Sequence, residues 1–106
     1  EELIMYIVGV TSCSTGIAHT YMAAEAIKKV AKKLGYKAKV ETQGSIGIEN
    51  KLSKKDIEGA DLIIIATDVS MREPERFEGH KVFNCSTEKF IENRDQALQE
   101  AIEFFS

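Results

Sequence analysis

The chain has no apolar run long enough to cross a bilayer. The longest, Leu3 to Val10, falls well short of the ~20 residues a membrane-spanning helix needs. No positively charged segment precedes it, so this run is not expected to be the apolar part of a secretory signal. Cysteine is scarce: Cys13 and Cys85 lie far apart and in no C-x-x-C arrangement. That excludes a disulfide framework and a cysteine metal site, and reads as free thiols in a reducing cytosol. Positive charge is not in excess, since 14 Lys and Arg stand against 17 Asp and Glu for a net charge of −3. Neither the basic face of a nucleic-acid binder nor a polybasic membrane anchor is present. There is no G-x-x-x-x-G-K-[ST], and Gly9 with Gly16 does not make G-x-G-x-x-G. Nucleoside-triphosphate and dinucleotide motifs are thus both missing, and nothing calls for a metal or a cofactor.

What is present suits one compact domain. The chain has 106 residues, 43% hydrophobic and 29% charged, enough to bury a core without staples. It begins at Glu1 rather than at methionine, and residues 1–106 are read as a single domain excised from a longer polypeptide.

Leu3 to Val8 is continuously apolar, the pattern of a strand buried on both faces. Ile17, Tyr21, Met22, Ala24, Ile27, Val30, Ala31 and Leu34 then recur at helical spacing, with Lys28, Lys29, Lys32 and Lys33 on the opposite side and Gly35 as the stop. Glu25 is placed to pair with Lys29 one turn on. Tyr36 to Thr42 alternates, with Lys37, Lys39 and Glu41 on the outward face of an edge strand. Gln43 to Gly47 reads as a loop. Ser53 opens a short helix with Asp56 as its capping-box partner, Leu52 and Ile57 as a hydrophobic staple, and Gly59 at its end. Leu62 to Ala66 is a second fully apolar strand. Thr67 to Gly79 carries the single proline, Pro74, and one helical turn near Glu75 to Phe77. Lys81 to Asn84 is a short strand, and Thr87 to Phe105 is helical in two pieces, with Asn93 as the cap between them.

Strands alternating with helices predict an α/β domain with a parallel sheet. The two fully apolar strands belong at its centre and the other two at its edges. The expected fold is a four-stranded parallel open sheet, order 2-1-3-4, with helices on both faces: a flavodoxin- or Rossmann-like three-layer sandwich. Ligands of such sheets bind at the carboxyl ends of the strands where the chain changes direction. That point lies between the loop holding Cys13 and the loop holding Thr67 and Asp68.

Cys13 therefore stands out. It follows the first strand and precedes the first helix, within Val10-Thr11-Ser12-Cys13-Ser14-Thr15-Gly16-Ile17-Ala18-His19-Thr20. A thiol at the positive end of a helix dipole is expected to ionise below its ordinary value of about 8.5. Small residues leave backbone N–H groups free to face an anion. Ser14, Thr15, Gly16, Ile17, Ala18, His19 and Thr20 are the candidate phosphate-binding residues, and the loop reads as one that carries or processes phosphate on sulfur. Phosphatases of this architecture place arginine in Cys-x5-Arg, clamping the phosphoryl group for hydrolysis. Here the spacing is Cys13-x5-His19, which favours passing the group on. Gln43, Gly44, Ser45 and Asp68 lie at the same sheet end and are candidate contacts to the phosphoryl group or a docking partner. His80 and Cys85 are read as structural, Cys85 as a small packed residue.

Val8 to Cys13, Thr15 to Thr20 and Glu41-Thr42-Gln43-Gly44-Ser45-Ile46-Gly47 resemble the signature segments of the fructose-type IIB component of the bacterial phosphoenolpyruvate-dependent sugar phosphotransferase system, and the likeness runs over nearly the whole chain. The resemblance implies that Cys13 accepts phosphoryl from a histidine of a IIA component. It then donates it to a sugar, fructose or a relative, moving through a membrane IIC component. It implies a phosphotransferase working through S-phosphocysteine in the cytoplasm, at the membrane when joined to IIC. An isolated domain of this kind is expected to be a monomer that binds no nucleic acid. One position departs from the family, which usually has proline where this chain has Ser14; serine retains a backbone donor that proline lacks. A phosphatase-like hydrolase and a non-catalytic module read by its phosphorylation state are the competing functions.

Overall fold

A computed structural model describes residues 5–13 and 17–106, with only the backbone of Ile17. In chain order the elements are β1 (Tyr6–Ser12), α1 (Ile17–Lys33), β2 (Lys37–Gly44), β3 (Gly47–Glu49), α2 (Lys54–Glu58), β4 (Leu62–Thr67), a 3₁₀ turn (Pro74–Phe77), β5 (Phe83–Cys85), α3 (Thr87–Glu92) and α4 (Arg94–Phe105). The sheet order is β3-β2-β1-β4-β5. β1 pairs in parallel with both β2 and β4, and β4 with β5, so the two most apolar strands are central as expected.

The sheet has five strands, not four. The segment read as a loop after the second strand is the tip of a hairpin in which β3 runs antiparallel to β2, with Thr42 opposite Glu49 and Gly44 opposite Gly47. Gly47 takes φ = 108°, a backbone conformation open to glycine, and so closes a tight reversal at Ser45 and Ile46 that the sequence pattern did not disclose. β2 is consequently not an edge. A second expectation also fails: Glu41, assigned to the outward face, is wholly buried. Segments that follow β2 and β4 cover that face of the strand.

Two apolar layers flank the sheet. On one face Ile7, Val40, Leu62, Ile64 and Ala66 meet Ala24, Ile27, Val30 and Ala31 of α1, Phe90 of α3 and Leu98 and Ala101 of α4. On the other, Val8, Val10, Ile63 and Ile65 meet Leu52, Ile57 and Phe77. Alternation along β1 and β4 sends successive side chains to opposite layers, which is why both strands are apolar at nearly every position. Each fully buried aliphatic side chain contributes roughly 1.5–3 kcal/mol.

The helix ends follow their sequence signals. Gly35, at φ = 79°, ends α1 as its N–H bonds to Lys32 O and that of Tyr36 to Ala31 O. Ser53 and Asp56 form the expected capping box of α2, and Asn93 Oδ1 accepts from the N–H of Gln96 to start α4. Glu25 pairs with Lys28 at 3.1 Å rather than with Lys29; both partners lie on the neighbouring turn, and three-residue spacing serves as well as four.

Candidate functional site

β1 and β4 end side by side, with Ser12 in register with Thr67, and the N–H of Asp68 bonds to Ser12 O at 2.9 Å. From this shared end the chain turns two ways, after β1 through α1 to β2 and after β4 toward β5. Cys13 is the first residue beyond β1 and is half-buried. Its Sγ lies 3.8 Å from Nδ1 of His19, an exposed residue in the first turn of α1. Asp68 faces the same pair. Its Oδ1 accepts from the Thr87 N–H at 3.1 Å and its Oδ2 from the Thr87 hydroxyl at 2.6 Å. Partial burial works to raise the Asp68 carboxyl, but the Thr87 bonds, the Cys13 thiol and the His19 charge outweigh it and hold it below the usual carboxylate range. A thiol, an imidazole and a carboxylate are thereby gathered where a sheet of this kind binds its ligand.

The other candidates divide. Ser14, Thr15, Gly16 and the Ile17 side chain fall outside the described residues. Ala18 is exposed. Thr20 is wholly buried; its carbonyl accepts from the Thr11 hydroxyl at 2.9 Å, while its own Oγ1 has no hydrogen-bond partner among the described residues. Such an orphaned buried hydroxyl is costly unless something else bonds it. Gly44 and Ser45, at the hairpin tip, line a cavity of about 320 Å³ with Ser12, Cys13, Gln43, Val69, Ser70 and Arg72. The second loop and the cysteine thus share one concavity. Cys85 packs against the helical layer, and burial pushes its thiol up to about 11. His80 is exposed.

Gln43 is buried and its amide is fully engaged. Nε2 donates to Glu41 Oε2 at 2.7 Å and to Arg72 O at 3.1 Å, and Oε1 accepts from the Arg72 N–H at 2.7 Å. Glu41 in turn takes both arms of Arg76 and the Leu52 N–H. This network, and Arg72 with it, was not visible in the sequence. The segment after Asp68 carries no motif. The available signal was topological: a segment leaving the carboxyl end of β4 must pass beside Cys13, and two of the chain's three arginines lie on it.

Comparison with known proteins identifies the family and agrees with the fold. A family model described as "PTS system, Lactose/Cellobiose specific IIB subunit" matches residues 8–100. The "PTS system fructose-like EIIB component 2" of Escherichia coli K12 is 43% identical over 92 residues, 87% of each chain. The "Fructose-like PTS system EIIBC component" of the same organism is 46% identical over 101 residues, 93% of this chain but 21% of that longer protein. Among solved structures, a domain of a fructose-specific IIABC component from Borrelia burgdorferi superposes with a TM-score of 0.87 at 46% identity, covering 95% of this chain and 96% of that one. A predicted fructose-specific IIB from Escherichia coli gives a TM-score of 0.90 at 36% identity, covering 97% and 91%. The family model carries another sugar's name than the relatives do. The relatives decide the type, because they match by direct residue identity over nearly the whole chain. The chain belongs to the IIB family of the phosphoenolpyruvate-dependent sugar phosphotransferase system, and within it to the fructose-like type.

Proposed function

We propose that this domain carries phosphoryl on Cys13 between a IIA phosphohistidine and a sugar. Membership of the family makes sugar phosphotransfer its general activity; the residue, the donor and the acceptor are our reading. The observation that carries it is the position of Cys13, at the carboxyl end of the central strand and in contact with His19 beside a cavity. In loading, the donor's P–N bond breaks and its electron pair stays on the imidazole nitrogen. A P–S bond forms, and the thiol proton goes to the vacated nitrogen. In unloading, the P–S bond breaks, a P–O bond forms to a sugar hydroxyl, and that hydroxyl's proton returns to sulfur. Both steps need chiefly in-line positioning and charge stabilisation. The site offers an imidazole at 3.8 Å to relay the proton in either direction, and the expected N–H groups of the loop for the phosphoryl oxygens.

The fused EIIBC relatives support a membrane IIC component as the place of the sugar. No helix among the described residues is long and apolar enough to cross a membrane, which suits a cytoplasmic domain docked on such a partner. Fructose or a related sugar is the acceptor favoured by the relatives' names. The test is incubation with phosphoenolpyruvate and the upstream phosphotransfer proteins, including a fructose-type IIA. The domain should be labelled on sulfur, Cys13→Ser should take no label, and Cys85→Ser should be labelled like the parent. His19→Ala should load more slowly while keeping the site. Normal labelling of Cys13→Ser, or label on His19, overturns the mechanism.

A further inference from the structure

A phosphoryl group on sulfur brings concentrated negative charge to Cys13, which already has the Asp68 carboxylate beside it. The phosphatase arrangement would answer with an arginine six residues after the cysteine; this chain has His19 there. Arg72, on the segment after β4, lines the cavity that Cys13 opens onto.

Its placement is strongly determined. The Gln43 amide grips the Arg72 backbone through both its N–H and its C=O, at 2.7 and 3.1 Å. Arg76 Nη2 gives the same carbonyl a second bond at 3.3 Å. The buried Glu41 locks the orientation of Gln43 and the position of Arg76 together. The Arg72 guanidinium, by contrast, is hardly occupied. Among the described residues it has one hydrogen bond, from Nη2 to Gly44 O at 3.3 Å, and no ion pair. Its neighbour Arg76 is fully committed, to the Glu41 carboxylate and to the carbonyls of Leu52, Arg72 and Glu73. An exposed, rigidly based guanidinium at a cavity rim presents a fork of donors matched to two phosphoryl oxygens.

We infer that Arg72 is the cationic phosphoryl ligand of this cavity, replacing from the segment after β4 the arginine that the cysteine loop lacks; this rests on the phosphocysteine reading above. Its N–H groups bond the equatorial oxygens during loading and unloading and transfer no proton themselves. Because Arg72 contacts the group only at its oxygens, it acts alike on both steps.

The experiment compares the wild-type domain with Arg72→Gln, Arg72→Lys and, as a distant surface control, Arg94→Gln. The gripping bonds reach only the Arg72 main chain, so Arg72→Gln should melt like the wild type. Its loading from phosphorylated IIA should slow by roughly ten- to a hundredfold. Arg72→Lys should fall between, having charge without the planar fork, and Arg94→Gln should be unchanged. Separately, inorganic phosphate should protect Cys13 from iodoacetamide, and Arg72→Gln should need roughly ten times more phosphate for the same protection. If Cys13 is labelled and Arg72→Gln loads as fast as wild type, the assignment of Arg72 is wrong while the phosphocysteine reading stands. If wild-type label appears on another residue, that reading fails and the phosphate arm alone decides. Equal protection in both proteins, or protection in neither, then overturns the assignment of Arg72.

Discussion

Glu41 and Arg76, 35 residues apart, form a two-armed ion pair at 2.8 and 2.9 Å in which the carboxylate is wholly buried. The pair ties β2 to the 3₁₀ turn that follows β4, and through Gln43 it sets the segment that brings Arg72 to the Cys13 cavity. A buried ion pair adds little net stability over an apolar pair of the same size, but leaving one member unpaired is expensive. Its service here is positional: it fixes where the segment after β4 stands.

Arg76→Met should therefore lower unfolding free energy by about 3–5 kcal/mol, because it strands the Glu41 carboxylate in the interior. The double variant Glu41→Leu with Arg76→Met should recover much of that loss. Urea unfolding of the three proteins measures both effects, and a double variant no more stable than Arg76→Met would contradict the buried-pair account.

Acid should destabilise the fold through Glu41 and Asp56. Burial works to raise the Glu41 carboxyl, but its bonds from Arg76, Gln43 and the Leu52 N–H prevail and hold it below the usual range. The Lys39 ammonium foremost, then the Ser53 N–H, hold Asp56 well below it. With folded-state values depressed, their stabilisation is complete above the unfolded carboxylate values near ~4 and is lost as pH falls through the folded ones. Thermal melts from pH 6 to pH 2 should show a steep fall below about pH 4 that is shallower in Asp56→Asn. Identical profiles would remove Asp56 from the account.

Tyr6 should be late to ionise. Burial first, then its hydrogen bond to Asp56 Oδ1 at 2.9 Å and that carboxylate's charge, push its phenol up to about 12. The raised value favours the fold below the unfolded value near ~10 and is lost as pH rises toward the folded one. Tyr21 is raised as well, foremost by its hydrogen bond to Glu49, so ultraviolet titration should compare the wild type with Tyr6→Phe. The phenol that ionises last in the wild type should be missing from Tyr6→Phe; its survival would assign the late phenol elsewhere.

Iodoacetamide near neutral pH should modify Cys13 before Cys85. Burial raises the Cys85 thiol to about 11 and shields it among helical side chains, whereas Cys13 opens onto a cavity. Peptide mapping of the folded protein reads the order directly, and Cys85 reacting first would contradict the described packing.

Much of this protein was legible in one dimension because local physics decides it. Apolar runs placed β1 and β4 at the sheet centre, since only a strand covered on both faces needs apolar residues at successive positions. Capping chemistry placed Ser53, Asp56 and Asn93. The Cys13 loop was readable because its strand-to-helix setting is contiguous in sequence. Tertiary structure alone decided the rest. β3 depends on a short antiparallel reversal that leaves almost no periodicity in three residues. Glu41 sits on an alternating strand as any outward residue would, and only a guanidinium arriving from 35 residues away makes its burial possible. Arg72 likewise has no local signature: its meaning comes from the parallel topology that ends β1 and β4 together, because strand pairing, unlike capping, is a relation between distant residues.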